Sequence, residues 1–408
     1  MDIKSKMRPN FQRLEGGLFS EVTKADVGSA YTDLAKQGVA LMGWADPFFP
    51  DPAIPPHVLK AATEALKSGF PAHYTMPIGN PDLKREIAKK LARENGMTVE
   101  AQRNIIITPG SDSGLLYAMM PFINPGDEVM VLDPSYPSNF LNAELLGGIT
   151  VPVPIYEKNN FDIDVVEFKK RLTSKTKMVL LTNPNNPTTT VFKRESLEKL
   201  ASFIVENDLI CVVDQAFEST IFDGRELVNM ATLPGMWERT LTVFSISKGM
   251  GLSGFRVGYI VAADEIMDVL YGGAVNVLGA TNTMSQLAAI AAFEDSSFVQ
   301  EYNRKHDDRR KYAFQLFNSI PGVSMLMPES GFLCWPNISK LGDSTEIMQY
   351  LIKEAKVACN DGKPYGKQGH GHLRIVIGCY WDDEVCYNAL ERIKQALTER
   401  ADKLGIIR

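Results

Sequence analysis

The chain has 408 residues, 45% of them hydrophobic and 23% charged, with a formal net charge of -6. That is ordinary globular composition, long enough for two domains with substantial cores. The negative balance argues against nonspecific nucleic-acid binding and gives no pull toward anionic membranes, and no uninterrupted apolar run is long enough to cross a bilayer.

The first eight residues hold no apolar core region, so no signal peptide is expected. Residues up to about Met42 are mixed and read as a segment wrapped around a larger body. Gly43-Trp44-Ala45-Asp46-Pro47 and on to Pro52 is dense in proline and aromatics. Proline fixes the backbone and forbids regular helix or central strand there, which predicts an extended crossing segment. His57 to Lys67 is helical in pattern, Tyr74 precedes a turn, and an amphipathic helix follows through Arg93.

From Asn104 the pattern alternates. Strands are predicted over 105–107, 128–132, 150–154, 178–181, 209–213, 241–244 and 257–262. Helices are predicted over 113–122, 137–146, 165–172, 196–207, 264–272, 284–293 and 297–320. The tail from Val323 mixes short strands near 326, 332–335 and 373–377 with helices over 346–355 and 383–404. Alternating strands and helices predict an α/β fold: a large domain with a doubly wound, mostly parallel sheet over 51–320. A smaller α+β domain is expected from both chain ends, 1–50 and 321–408. The five cysteines, Cys211, Cys334, Cys359, Cys379 and Cys386, have no paired metal-ligand spacing and predict reduced thiols in the cytoplasm.

In such sheets ligands collect at the carboxyl ends of the strands, and polar residues collect there in this chain. Lys248 lies on the small-residue loop Ser245-Ile246-Ser247-Lys248-Gly249-Met250-Gly251 between two apolar runs, with Arg256 one short loop away. Burying an ammonium is unfavourable, and a desolvated lysine becomes a nucleophilic amine suited to carbonyl chemistry. Gly110-Ser111-Asp112 opens a helix, where free N–H groups suit a phosphate or simply a capped start. Tyr136 follows the 128–132 strand. Asn183-Pro184-Asn185-Asn186-Pro187-Thr188 cannot continue a strand or begin a helix at once. Asp214 caps a buried strand and needs a cation; Arg374 lies on an apolar strand and needs an anion. His370 and His372 alternate on one face, without a nearby carboxylate or cysteine to complete a metal site.

These strings, in this order, resemble the fold type I pyridoxal-phosphate enzymes, specifically the class I/II aminotransferases related to aspartate aminotransferase. The resemblance implies pyridoxal 5'-phosphate joined to Lys248 as a Schiff base. It implies a phosphate cradle of Gly110, Ser111, Asp112, Ser245 and Arg256, with Ser247 and Phe217 also against the cofactor and Tyr136 stacked on the ring. Asn186 would donate to the ring oxygen and Asp214 would pair with the ring nitrogen. Arg374, with Asn186, Gly43, Trp44 and Ala45 nearby, would hold the substrate carboxylate. Tyr74 would reach the neighbouring subunit, which implies a homodimer with shared sites. The partners implied are an amino acid and a 2-oxo acid, with no nucleic acid and no membrane.

Three departures stand out. Ala45 and Thr189 occupy positions where the family has glycine, and Phe217 stands where it has a tyrosine donating to the ring oxygen. Phenylalanine keeps the packing and loses the hydroxyl, which implies a more basic Schiff base. The predicted activity is transfer of an amino group from an L-amino acid to a 2-oxo acid. The alternative is an eliminating or ring-forming lyase on the same scaffold. A cofactor-binding regulator fits less well, since no basic reader helix precedes the region of resemblance.

Overall fold

The computed structural model describes residues 4–8 and 29–407. The wrapping segment expected at the N-terminus therefore lies, for residues 9–28, outside the described residues. β1 (Ala40–Leu41) is followed by seven longer strands: β2 (Ile105–Thr108), β3 (Glu128–Asp133), β4 (Ile149–Pro154), β5 (Thr176–Thr182), β6 (Ile210–Asp214), β7 (Thr240–Ser245) and β8 (Gly258–Val261). These seven form one sheet in the order β2-β8-β7-β6-β5-β3-β4. β8 runs antiparallel to both its neighbours and every other pair is parallel.

The strands are apolar runs because both faces of the sheet are covered. Alternation along each strand divides the side chains between two cores. Ile105, Ile107, Phe244, Tyr259 and Val261 pack under the helices Pro56–Lys67, Pro81–Glu94 and Thr283–Glu294. Ile106, Val243 and Ile260 face the other way, against Ser111–Met119 and Asp264–Val277. The doubly wound arrangement read from the sequence is thus the observed one.

The tail adds β9 (Leu333–Cys334), β10 (Val357–Ala358), β11 (Asn360–Asp361) and β12 (Leu373–Val376). β11, β12 and β9 form an antiparallel sheet, and β10 pairs with β1 in parallel, which brings the two ends of the chain together. The helices Phe298–Asn318 and Asp383–Lys403 bury Phe317 and Leu390 against Leu333 and Ile375. Arg309 is buried yet satisfied: it donates to the carbonyls of Ile377, Cys379 and Tyr380 and pairs with Asp383. One guanidinium thereby ties the long helix to the exit of β12.

Several expectations are corrected. No strand forms near Leu326 among the described residues; only the single bridge Ser324↔Asn337 marks the place. Pro328 carries no N–H to extend a ladder. The helix expected from Ser113 begins at Ser111 and ends at Met119. The one expected over 165–172 stops at Lys169, and that over 346–355 is an α-helix Ser344–Tyr350 closed by a π turn Leu351–Ala355. Among the described residues no helix is long and apolar enough to cross a membrane.

Candidate active site

The carboxyl ends of β2, β3, β5, β6 and β7 open on a cavity of ≈ 530 Å³, closed on its other side by residues from both chain ends. Lys248 enters it from the loop after β7. The Ser245 hydroxyl donates to Ser247 Oγ at 2.7 Å and accepts the Ser247 N–H at 3.0 Å, which turns the chain sharply off the strand. Lys248 Nζ, half-buried, donates to the Ala45 carbonyl at 2.5 Å. Burial lowers its proton affinity; Asp112 and Asp46 act against that, while Arg374 and Arg256 reinforce it.

Asp214 ends β6 and is buried in the same cavity, accepting the Ala216 N–H at 3.0 Å. Burial pushes its pKa up to about 7, and it forms no salt bridge among the described residues. Phe217, three residues on, is buried against Phe332, with ring centroids 5.4 Å apart. A Cβ on Gly331 would come within 2.9 Å of the Phe217 ring, so the aromatic fills its site closely.

Gly110 and Arg256 lie in contact at the other end of the cavity, which Arg256 lines and Gly110, expected in the cradle, does not. Gly110 has φ +87°, and a Cβ there would lie 2.2 Å from Arg256 Nη2. A Cβ on Gly258 would meet the Gly110 carbonyl carbon at 2.6 Å. The strand, the helix start and the guanidinium therefore approach as closely as they do only because these two positions are glycine. The first-turn N–H groups of Ser111 and Asp112 have no intrahelical acceptor, as at any helix start. Arg256 donates to the Ser253 carbonyl at 3.0 Å and pairs with no carboxylate among the described residues. Ser247 lines the cavity, whereas Ser245, expected in the cradle, stands behind it with its hydroxyl engaged by Ser247.

Arg374 comes from β12 and is buried with neutral partners. It donates to Asn360 Oδ1 at 2.8 and 3.1 Å, to the Gly43 carbonyl at 2.8 Å and to Asn186 Oδ1 at 3.4 Å. Its guanidinium carbon lies 5.2 Å from the Tyr365 ring centroid. Asn360 and Tyr365 were not foreseen. Asn360 sits opposite Arg374 in the β11–β12 pair, a register that no local pattern discloses. Tyr365 is held by β3: the Asp133 carboxylate accepts the N–H groups of Lys367 and Gln368, and Ser135 N–H donates to the Tyr365 carbonyl.

The remaining candidates divide. Trp44, Ala45, Tyr136 and Asn186 line the cavity. Both Asn183-Pro184 and Asn186-Pro187 are cis, and Thr189 keeps the left-handed backbone of a glycine at φ +64°. Tyr74 is outside this cavity, 95% exposed on the outer surface. His372 stacks on Trp335 at 5.0 Å near Glu157, and no group of three metal ligands occurs among the described residues.

A mostly parallel sheet closed by a composite small domain, with Lys248 and Asp214 at its strand ends and Arg374 brought to the same cavity from β12, defines a class of enzyme. The chain belongs to the aminotransferase class I and II family, whose model matches residues 42–393. It is 33% identical over 386 residues to an aspartate aminotransferase of Pyrococcus abyssi, covering 93% of this chain and 96% of that one. It is 32% identical over 374 residues to aromatic-amino-acid aminotransferase 2 of Thermococcus litoralis, covering 90% and 94%. The crystal structure of an aromatic aminotransferase from Pyrococcus horikoshii superposes with a TM-score of 0.84 at 32% identity, covering 90% of this chain and 99% of the other. The protein is an aminotransferase, and nothing in these likenesses favours the lyase.

Proposed function

We propose that the cavity binds pyridoxal 5'-phosphate and moves the amino group of an L-amino acid to a 2-oxo acid, with Lys248 as the catalytic residue. The observation that carries this reading is the meeting of Lys248, Asp214 and Arg374 in one cavity. The residues fit the cofactor. A buried carboxylate without a salt bridge suits a protonated ring nitrogen. Arg256, packed on Gly110 at a helix start and paired with no carboxylate among the described residues, suits a phosphate.

When bound, pyridoxal phosphate supplies an electron-poor ring that takes up negative charge from the substrate α-carbon. The chain's own residues do the rest. Arg374 holds the substrate carboxylate, its fork pre-set by Asn360 and the Gly43 carbonyl. Asn186 supports the same end through its side-chain amide. Lys248 Nζ takes the proton from the substrate Cα and later returns one, base and then acid. Asp214 would keep a proton on the ring nitrogen of the bound cofactor, and Trp44, Tyr136 and Phe217 line the site.

The relatives' names offer two donor classes, aspartate and aromatic amino acids. A homodimer is part of the proposal: Leu66, Phe70, Tyr74 and Met76 are all exposed along one stretch, as at a protein interface. Five free, buried cysteines accord with a reducing compartment such as the cytoplasm. Lys248→Ala is expected to abolish turnover while pyridoxal phosphate still binds noncovalently, and borohydride should fix the cofactor to the wild type alone. Normal multiple turnover by the variant would sink the assignment.

A further inference from the structure

The cavity holds two carboxylates, Asp46 and Asp112, that none of these steps uses. Asp46 lies on the crossing segment and accepts a hydrogen bond from Ser253 Oγ at 2.5 Å. Asp112 lies in the first turn of the helix Ser111–Met119. The fields of both reach the reacting amine, since both favour its protonated form. Asp112 also acts on Tyr136 and Asp214, favouring the protonated form of each. A carboxylate beside a phosphate repels it, so only the backbone of Asp112 suits the cradle. Complementing the helix dipole accounts for Asp112 but not for Asp46.

The cations, by contrast, are committed. Among the described lining residues they are Lys248, Arg256 and Arg374, given to the reacting amine, the phosphate and the α-carboxylate. Past Asp46 and Gly254 the cavity adjoins a second hollow of ≈ 320 Å³. Its described walls are largely apolar, among them Phe49, Phe255 and Met284, and its charged residues are Asp46 and Asp51. A second carboxylate on the substrate therefore meets like charges and no uncommitted cation among the described residues that line the two hollows.

We propose that the site selects amino acids and oxo acids whose side chain carries no negative charge, with Asp112 and Asp46 rejecting a second carboxylate. The inference rests on the aminotransferase reading and narrows its two donor classes to the neutral one. Calorimetric titration of the cofactor-loaded protein with succinate and succinamate tests it, because the two ligands share a shape and differ by one charge. Succinate should bind about tenfold more weakly or worse, and Asp112→Asn should narrow that gap about threefold or more. If Asp112→Asn fails to hold the cofactor, Asp46→Asn makes the same comparison. Succinate binding as tightly as succinamate, or a gap indifferent to both substitutions, overturns the proposal. Turnover separates the underlying reading: glutamine should be consumed faster than glutamate. If no amino acid is converted at all, the aminotransferase reading fails, while the binding ratio still decides the charge preference.

Discussion

Asp214 sits where burial works against it. Its pKa of about 7 in the fold lies above the ordinary 3.8. Between about pH 4 and 7 the folded chain therefore holds a proton that the unfolded chain has lost. Its contribution is full below that window, falls as pH rises through it, and levels off above. The loss is bounded at about 4 kcal/mol, from roughly three units at 1.36 kcal/mol each. Cofactor-free Asp214→Asn should then resist urea better than the wild type at pH 8, with the advantage vanishing near pH 4. Loading pyridoxal phosphate should reverse the order at pH 8, because the paired nitrogen relieves the wild-type carboxylate. An advantage independent of pH would place its source elsewhere. Asp214, Lys248 and Asn186 are readable in the sequence for this same reason: each sets a group that burial penalises at the end of an apolar run. Asn360 and Tyr365 are not, since each is polar or aromatic in a turn-rich tail and gains meaning only from what faces it.

The elements that carry these residues obey a looser rule. Strands of the large sheet are readable because both faces are covered and the runs are continuously apolar. The small domain is harder, because two-residue strands and single helical turns leave no period to detect. Loop geometry is hardest. Thr189 is a β-branched residue at positive φ, an outlier held by its N–H on the Asn185 carbonyl and by Ser330 Oγ donating to its own carbonyl. The turn before the Ser111 helix can be tested directly. In Gly110→Ala the new methyl displaces Arg256 and sits at an unfavourable φ. Stability should fall by about 1–2 kcal/mol. Affinity for pyridoxal phosphate should fall about tenfold or more, while that for pyridoxal, which lacks the phosphate, stays nearly constant. Equal losses for both, in absorbance titrations, would remove Arg256 from the phosphate cradle.

At the scale of the whole molecule the site belongs to no single unit. Lys248, Asp214 and Gly110 come from the large sheet, while Gly43, Asn360 and Arg374 come from the two ends that β1 and β10 join. The proposed division at 51–320 thus places the nucleophile and the carboxylate grip on opposite sides of a boundary. The proposed homodimer extends that logic to a second copy, since Tyr74, exposed outside its own cavity, would serve catalysis only across a two-fold interface. Mixing subunits tests this. A Lys248→Ala chain still offers Tyr74, and a Tyr74→Ala chain still offers Lys248. If sites are shared, the mixed dimer rebuilds one complete site out of two. Random reassortment of two equally stable, individually impaired variants should then recover about a quarter of wild-type activity. Each variant alone should stay low, and activity should grow with the fraction of mixed dimers measured by native mass spectrometry. Activity no greater than the average of the two parents would mean that Tyr74 acts within its own chain or not at all.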